Sequence, residues 1–303
     1  MSKVNRARGT GVHSLSALAR WAKRVRLGGP ARAGGSLATY GFLGAYTFLA
    51  VAPVLLIILN SFKTRVAIFD TPFALPSADT FSLIGYQTVL ARSNFPLYFE
   101  NSIVVTVASL ALILTLGSMA AYALAEFRLP GGQFMFVYLI IGIMIPIRLG
   151  TVSLLRLMTA LGLTNSLWAL IFVYTAMGLP VAIFILRQMM EQVPRELKDA
   201  ARIDGASEYR VFLIVVPLVR PAVATVAVFS MLPIWNDLWF PLILTPGEST
   251  KTVTLGAQQF LGAFFSDWNA VLASLTLAIV PIVLLYLVFS RLLVGGLTTG
   301  TGK

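Results

Sequence analysis

The sequence contains no cysteine and only one histidine, His13. Disulfides, thiol catalysis and cysteine-ligated metals are therefore excluded, and a lone histidine cannot supply a metal site or a histidine-dependent base. Charged residues are scarce as well, at 12% of the chain, and the long apolar segments contain only Arg148, Arg156 and Asp237, besides Arg220 and Arg291 near segment ends. Isolated charges do not form the acid pair or metal cluster of an enzyme active site. The sequence therefore predicts a protein that is not an enzyme, with no catalytic residue, metal or cofactor of its own.

A phosphate-binding loop is also missing. The segment GLTTGTGK at 296–303 has the right composition, but its spacing of glycine and lysine differs from the GxxxxGK pattern. The chain is therefore not expected to bind a nucleotide by itself.

Apolar residues make up 57% of the chain, which is more than ordinary soluble domains contain, and the mean hydropathy is +0.84. About 20 helical residues cross a bilayer. Six apolar segments reach that length, at about 37–59, 102–125, 134–157, 168–186, 218–244 and 270–293. The sequence therefore predicts an all-α, polytopic membrane helix bundle with six transmembrane helices.

The positive charges give the orientation, because loops rich in Lys and Arg stay on the cytoplasmic side. Residues 1–36 hold eight basic residues and no acidic one, so we expect a basic cytoplasmic tail before a transmembrane domain over 37–303. Six spans return the C-terminus to the cytoplasm and place seventeen of the 23 basic residues inside, four outside and two within the third span. This asymmetry accounts for the net charge of +11 without nucleic acid, for which no recognition element is visible.

The basic tail has two interpretations. Leu15, Leu18 and Ala22 recur near helical spacing among basic residues, which suits a helix lying on an anionic membrane lipid surface. The alternative is a disordered tail that only fixes the topology.

One short segment between the fourth and fifth spans is densely charged, with five charges within nine positions at Glu196, Lys198, Asp199, Arg202 and Asp204. Pro194 and Glu196 suit the first turn of a helix, and Gly205 can adopt the positive φ that ends one. Ser207 can then cap a second helix over 208–216. The segment therefore predicts a helix-turn-helix on the inner membrane surface.

The first of these helices has a face of mostly small side chains, since Leu197, Ala200, Ala201 and Asp204 recur at i, i+3, i+4 and i+7. Small side chains allow another surface to approach closely. The alternative is a solvated loop in which Arg195 and Asp199 pair at i, i+4. Spacing alone leaves both interpretations open.

The segment PRELKDAARIDGASEYRVFLIVVPLVRPA resembles the cytoplasmic loop signature of binding-protein-dependent ABC importer permeases, in which an acidic residue and two alanines precede Asp-Gly and a later proline-containing run. Here the triplet is Asp199, Ala200 and Ala201, followed by Asp204 and Gly205. Further segments resemble the carbohydrate branch, in particular the second permease subunit of maltose-type importers; they are LGLTNS, FILRQ, WNDLWFPLIL and KTVTLGAQQF.

The resemblance implies a multi-pass permease subunit in a bacterial cytoplasmic (inner) membrane, with both termini cytoplasmic. A second permease subunit would complete the pathway for a sugar or sugar-like solute. Two copies of a cytoplasmic ATPase subunit would bind ATP and Mg, and an external solute-binding protein would deliver the solute. The short helix, within a coupling loop at about 187–217, would dock on the ATPase. The coupling residues implied are Arg195, Glu196, Asp199, Ala200, Ala201, Arg202, Asp204 and Gly205.

Two positions depart from the family's pattern. The family usually has Glu where this chain has Asp199, which keeps the charge. Its third span commonly carries a second proline, but here Pro146 stands alone and Ser153 lies near the second position. We therefore expect the outer part of this span to be less broken than in relatives that carry the second proline.

Four residues in the apolar segments are candidates for lining a pathway, namely Arg148, Trp235, Asn236 and Asp237. Arg148 lies about 21 Å along its span at 1.5 Å per residue, where a charge normally faces a cavity or a partner. Trp235 and Trp239 beside Asp237 suit a sugar, which stacks on aromatic rings. A structural ion pair for Arg148 and an interfacial anchor for the tryptophans are the alternatives.

Two other function classes remain open at this stage. A secondary transporter needs internal repeats and acidic residues within its spans, and only Asp237 qualifies as such an acid. A non-transport membrane scaffold would use the charged loop merely to recruit a cytoplasmic partner.

Overall fold

The computed structural model describes the backbone of residues 30–261 and 266–299, and the side chains of residues 39–261, 266–284 and 286. Most of the predicted basic tail, residues 1–29, lies outside the described residues. The chain divides into two units, Met1–Leu56 and Ile57–Lys303. The described residues are largely helical, with two isolated β-bridges, Lys63 with Phe81 and Leu261 with Ser266.

Helix α1, Pro30–Ser61, supplies the described part of the first unit and extends into the second. Its portion Thr39–Ser61 is long and apolar enough to cross a bilayer. This portion agrees with the first predicted span at 37–59.

The second unit contains the remaining α-helices of the described residues, which are α2 (Arg65–Asp70), α3 (Ile84–Arg92), α4 (Phe95–Glu126), α5 (Gly132–Met144), α6 (Thr151–Ala160), α7 (Leu167–Glu191), α8 (Arg195–Ile203), α9 (Glu208–Leu218), α10 (Arg220–Asn236), α11 (Trp239–Leu244), α12 (Val253–Gln258) and α13 (Trp268–Thr299). Short 3-10 turns occur at Ile147–Gly150 and Glu248–Thr250. Helices α4 and α7 are each long and apolar enough to span a membrane.

Two further spans are bent rather than straight. Helix α5 meets the segment Ile147–Ala160 at 85°, and α9 meets α10 at 74°. If each bent pair counts as one span, the described residues contain up to five, and α13 adds a shorter apolar stretch at Trp268–Leu284. The order of these elements follows the six predicted apolar segments.

Proline explains where the third span bends. Ile145 is extended (φ −78°, ψ 122°), as the residue before a proline prefers, and Pro146 follows it. Helix α6 then runs through Ser153 without interruption, which agrees with the expectation of a less broken outer part.

The predicted fifth span at 218–244 differs from the structure, because it consists of two helices. Helix α10 ends at Asn236, the backbone turns at Asp237 (ψ 135°), and the short helix α11 follows. The physical reason lies in the Asp237 side chain, which accepts hydrogen bonds from the backbone N–H groups of Trp239 and Phe240 and so begins a new helix.

Helices α4 and α7 run parallel and form the centre of the second unit. Gly117 lies where a Cβ would come 3.0 Å from the Ala182 Cβ, and a Cβ on Gly178 would lie 2.4 Å from Ile113. The small residues therefore allow the two backbones to approach closely. A displacement of α4 is therefore expected to displace α7, because the two helices are in close contact.

Candidate functional site

The charged segment folds as the sequence predicts. Helix α8 has Pro194 at its N-cap and Glu196 in its first turn, and it ends at Ile203, two residues before Gly205. Gly205 has φ +81°, a conformation that other residues rarely adopt. Helix α9 begins after Ser207, although the Ser207 side chain makes no capping hydrogen bond.

The two sides of α8 have different surroundings. Leu197, Ala200 and Asp204 of the predicted face are exposed, whereas Ala201 is half-buried against the apolar core. The coupling candidates that are exposed are Arg195, Glu196, Asp199, Ala200, Asp204 and Gly205. Helix α8 therefore presents one free surface and rests on the bundle with the other.

Ion pairs fasten the inner side of α8 to the last residue of α4. The Lys198 ammonium lies 2.5 Å from Glu126 Oε2, and the Arg202 guanidinium lies 2.6 Å from Glu126 Oε1. The side chains of Lys198 and Glu126 are only 7% and 13% exposed. Both carboxylate oxygens of Glu126 are therefore satisfied by cations of α8.

Arg202 also joins two further carboxylates. Its Nη1 donates to Asp199 Oδ1 at 2.9 Å and its Nε donates to Glu208 Oε1 at 2.8 Å. Hydrogen bonds from Arg202 to Glu208 and Glu126 raise the pKa of the Arg202 guanidinium above its already high value. Asp199 thus pairs with Arg202, and not with Arg195 as the solvated-loop alternative required.

Sequence reasoning did not select Glu126, Lys198 or Glu208 as site residues. The available signal was a carboxylate at the end of an apolar span and a lysine among the charges of α8. Only the tertiary arrangement joins these residues, since 72 positions separate Glu126 from Lys198.

At the break between α10 and α11, a cavity of about 460 Å³ opens among mainly apolar side chains. Three of the four pathway candidates, Arg148, Asn236 and Asp237, line this cavity. Trp235 is buried elsewhere, and its indole Nε1 donates to the carbonyl oxygen of Ala278 at 3.1 Å. Because the chain bends at Pro146, Arg148 also lies at this cavity. The helix breaks at Pro146 and at Asp237 are therefore both next to the cavity.

Asp237 is held firmly at the cavity wall. The Tyr174 hydroxyl donates to Asp237 Oδ2 at 2.9 Å, and the backbone N–H of Phe240 donates to the same oxygen at 3.0 Å. The Arg148 guanidinium lies 5.7 Å from the centroid of the Trp239 ring, a cation–π distance. Asp237 therefore has a structural role, whereas Arg148 makes no ion pair within the described part of the chain.

At the end of the bundle opposite α8, most of the hydrogen bonds that fasten the segment 245–252 join neutral groups. The exception is the Tyr98 hydroxyl of α4, which donates to the Glu248 carboxylate. Asn165 has φ +60°, and its Oδ1 accepts from the Gly247 N–H at 2.8 Å and the Thr250 hydroxyl at 2.6 Å. Asn101 of α4 donates to the carbonyl oxygens of Ser249 and Lys251 at 3.0 and 2.9 Å. These bonds pin the segment 245–252 against α4 and against the turn before α7.

Metal binding finds no support in the part of the chain that the structure describes. No three His, Cys, Asp or Glu side chains come together there in a way that could hold a metal ion. The chemistry available at the loop and the cavity is ion pairing, hydrogen bonding and aromatic contact.

Comparison with known proteins gives consistent matches. The family described as the binding-protein-dependent transport system inner membrane component matches residues 113–298, more than half of the chain. A diacetylchitobiose uptake system permease of Streptomyces coelicolor is 32% identical over 256 residues, covering 84% of each chain. An arabinooligosaccharides transport system permease of Halalkalibacterium halodurans is 34% identical over 260 residues, covering 84% of this chain and 92% of that one.

A solved structure shares the fold. It is a bacterial ABC transporter involved in the import of the acidic polysaccharide alginate, with a TM-score of 0.72 at 21% identity, covering 87% of this chain and 98% of the matched chain. Together with the helical architecture and the charged loop, these matches show that the chain belongs to the family of binding-protein-dependent transport system inner membrane components.

Proposed function

We propose that this permease subunit carries a sugar or sugar-like solute as part of an ATP-driven importer. The cargo of several relatives supports this class, since these relatives are named for the transport of diacetylchitobiose, arabinooligosaccharides and multiple sugars. A second permease subunit would complete the pathway, and a solute-binding protein would deliver the sugar from outside. The chain itself would hydrolyse no ATP, because it lacks a phosphate-binding loop. Two copies of a cytoplasmic ATPase subunit would bind ATP and Mg.

The exposed side of α8 would dock on one ATPase subunit. The single observation that carries this proposal is the division of α8 into a side fixed to α4 and a free side with Glu196, Asp199, Ala200 and Asp204. The Asp199 side chain is 61% exposed, so it retains a free surface for a basic partner group although it already pairs with Arg202. Ala200 allows that partner to approach closely, and Arg202 would position Asp199.

The end of the bundle that carries α8 would face the cytoplasm. The excess of basic residues predicted for that side supports this orientation. Reporter fusions after Arg128, Val193 and Lys303 should be cytoplasmic, and fusions near Asp79, Leu161 and Gly256 external. An external C-terminus would contradict the six-span topology.

The cavity between the two chain breaks would form this subunit's part of the solute pathway. Broken helices are tolerated at membrane depth where they line a cavity, and Arg148 with Asn236 would offer hydrogen bonds to hydroxyl groups beside an apolar wall. Trp239, which Arg148 overlies, would limit the movement of that guanidinium.

Reconstitution tests the proposed function. The chain would be purified with its second permease and its ATPase subunit, then placed in vesicles with the cognate binding protein. We expect ATP hydrolysis that the loaded binding protein stimulates, sugar uptake that requires ATP, and neither activity from the chain alone. Uptake by the isolated chain driven by an ion gradient would instead establish a secondary transporter. Failure to retain any ATPase would contradict the importer assignment.

A further inference from the structure

The last turn of α4 carries a carboxylate, Glu126, that is not part of the free side of α8 proposed to dock on the ATPase. Glu126 ends α4, and each of its two oxygens pairs with a different cation of α8. Lys198 and Arg202 lie one helical turn apart, so both cations reach the same carboxylate. In the described part of the chain, every ion pair between α8 and the membrane-spanning helices α4 and α7 ends on Glu126.

The second helix of the loop is tied to the same turn of α4. The Tyr122 hydroxyl, one turn before Glu126, donates to Glu208 Oε2 at 2.9 Å. The Tyr122 ring meets the Phe212 ring edge-on, with 5.4 Å between the ring centroids. Arg202 completes this cluster by bonding to Glu208 and Glu126 together. Both helices of the loop therefore contact a single turn of α4.

Ion pairs of this kind suit the transmission of movement. Coulomb attraction falls slowly with distance, so long charged side chains stay paired while two helices shift by an ångström or two. Separating the paired side chains fully would leave buried charges without partners, which is strongly unfavourable. Helix α8 is therefore expected to carry the end of α4 along when it moves.

Helix α4 also reaches the cavity. Ile113 of α4 lines the cavity and touches Gly178 of α7, which lines it as well. Gly117 packs on Ala182 one turn closer to the loop. A shift of the last turn of α4 is thus transmitted along a close helix–helix contact to the cavity wall.

We propose that Glu126, Lys198 and Arg202 are positioning residues that convert the docking of α8 into movement of α4 at the cavity. The inference rests on the proposed function, because it requires an ATPase that moves α8. It adds that this subunit's coupling runs through one carboxylate at the end of α4. Tyr122 and Glu208 support the same connection from α9.

A purely structural role makes a different prediction. If the cluster served only to fold the chain, its loss would lower the amount of assembled complex. Each complex that did assemble would still transport the same amount of sugar per ATP hydrolysed. The informative quantity is therefore the sugar transported per ATP, measured per assembled complex.

The experiment compares Glu126→Gln with the unmodified complex and with two controls. Lys198→Arg keeps a cation opposite Glu126, and Glu191→Gln breaks the Arg187–Glu191 pair, which lies within α7 and joins no second helix. We expect Glu126→Gln to retain its ATPase subunits while the stimulation of hydrolysis by loaded binding protein falls by about 5-fold to 150-fold, the usual range of coupling between sites. Sugar transported per ATP should fall with it, and both controls should behave as the unmodified complex.

Unchanged sugar transport per ATP in Glu126→Gln would overturn the inference. If Glu126→Gln does not assemble, Tyr122→Phe takes its place, because it removes only the hydroxyl bonded to Glu208. Less sugar transported per ATP in Tyr122→Phe supports the inference, and an unchanged amount per ATP overturns it. An unmodified complex that binds no ATPase or takes up no sugar would instead show that the proposed function itself is wrong.

Discussion

The two ends of the second unit are fastened by different chemistry. At the α8 end, charged side chains join separate helices through Glu126, Lys198 and Arg202. At the opposite end, Asn165 and Asn101 hold a loop through neutral hydrogen bonds, most of them to backbone groups. The charged pair at that end, Glu248 with Lys251, lies within the loop itself. Glu248 is joined to α4 by one hydrogen bond, which the Tyr98 hydroxyl donates to its carboxylate.

This difference suggests different mechanical roles. Hydrogen bonds from short amide side chains weaken steeply when distance or angle changes, so they fix the segment 245–252 in one position. Ion pairs between long side chains tolerate small displacements, so they let α8 and α4 move as one body. The charged end is suited to transmit movement, and the neutral end to keep a fixed surface.

The largest effect on stability is expected from Lys198→Met, which removes the buried cation nearest to Glu126. The free energy of unfolding should fall by about 3 kcal/mol, near the lower end of the range for a broken buried pair, because Arg202 still satisfies one oxygen of Glu126. Denaturant unfolding in mixed micelles measures this change. Lys198→Arg is the matched control, and equal stability of Lys198→Met and the unmodified chain would refute a stabilising pair.

A smaller loss is expected at the neutral end from Asn165→Ala. The Gly247 N–H and the Thr250 hydroxyl would lose their shared acceptor, and alanine would have to adopt φ +60°, so unfolding should become easier by about 2 kcal/mol. Asn165→Asp keeps an acceptor oxygen and tolerates the left-handed conformation, so it should lose much less. Limited proteolysis of the segment 245–252 measures the loosening, and equal cleavage of Asn165→Ala and the unmodified chain would contradict it.

A still smaller, pH-dependent effect is expected at Glu248. The Lys251 ammonium and the Tyr98 hydroxyl hold the pKa of the Glu248 carboxyl below its usual value. The stabilisation is therefore complete above the unfolded pKa of about 4.3 and is lost as the pH falls through the lower folded pKa. The effect should be small because the Glu248 side chain is 53% exposed. Thermal unfolding between pH 6 and pH 3 should change slightly less in Glu248→Gln; an identical pH profile would exclude a contribution from this group.

The smallest effect is expected from Glu191→Gln, which breaks an exposed pair within one helix. Such pairs contribute less than about 0.5 kcal/mol, and Arg187 keeps its contact with the Phe136 ring. The unfolding midpoint should therefore stay within measurement error of the unmodified chain. A loss comparable to that of Lys198→Met would remove the distinction between pairs within a helix and pairs between helices.

The sequence predicted those features that depend on neighbouring residues. Pro194 and Gly205 marked the ends of α8, which begins directly after Pro194 and ends two residues before Gly205, because proline restricts and glycine widens the local backbone conformations. Apolar segment length likewise located most of the spans, although the fifth predicted segment contains a helix break at Asp237. The coupling residues remain predictions, since the structure shows their exposure and ion pairs but no docked partner.

The features that the sequence did not predict depend on distant contacts. Glu126 lies 72 positions from Lys198, and Asn165 lies 82 positions from Gly247. No local pattern distinguishes an acid that ends a span from one that anchors another helix. The break at Asp237 was missed for a related reason, because the acid was interpreted as a pathway residue and its capping of α11 depends on side-chain geometry.

The most direct test of the central claim, that the free side of α8 docks on an ATPase, compares Asp199→Lys with Asp199→Glu and Asp199→Asn. Reversing one charge of a pair at a partly desolvated interface should cost about 2–5 kcal/mol, whereas losing the exposed pair with Arg202 costs under about 1 kcal/mol. Asp199→Asn removes the charge without reversing it, and Asp199→Glu keeps the charge.

The measurement is ATPase co-purification together with sugar uptake by the reconstituted complex. The account predicts that Asp199→Glu transports sugar normally, that Asp199→Asn is impaired less than Asp199→Lys, and that Asp199→Lys inserts into the membrane normally but loses uptake, with its ATPase weakly bound or uncoupled. Sugar uptake by Asp199→Lys at the unmodified rate would contradict the assignment of α8 as the docking helix.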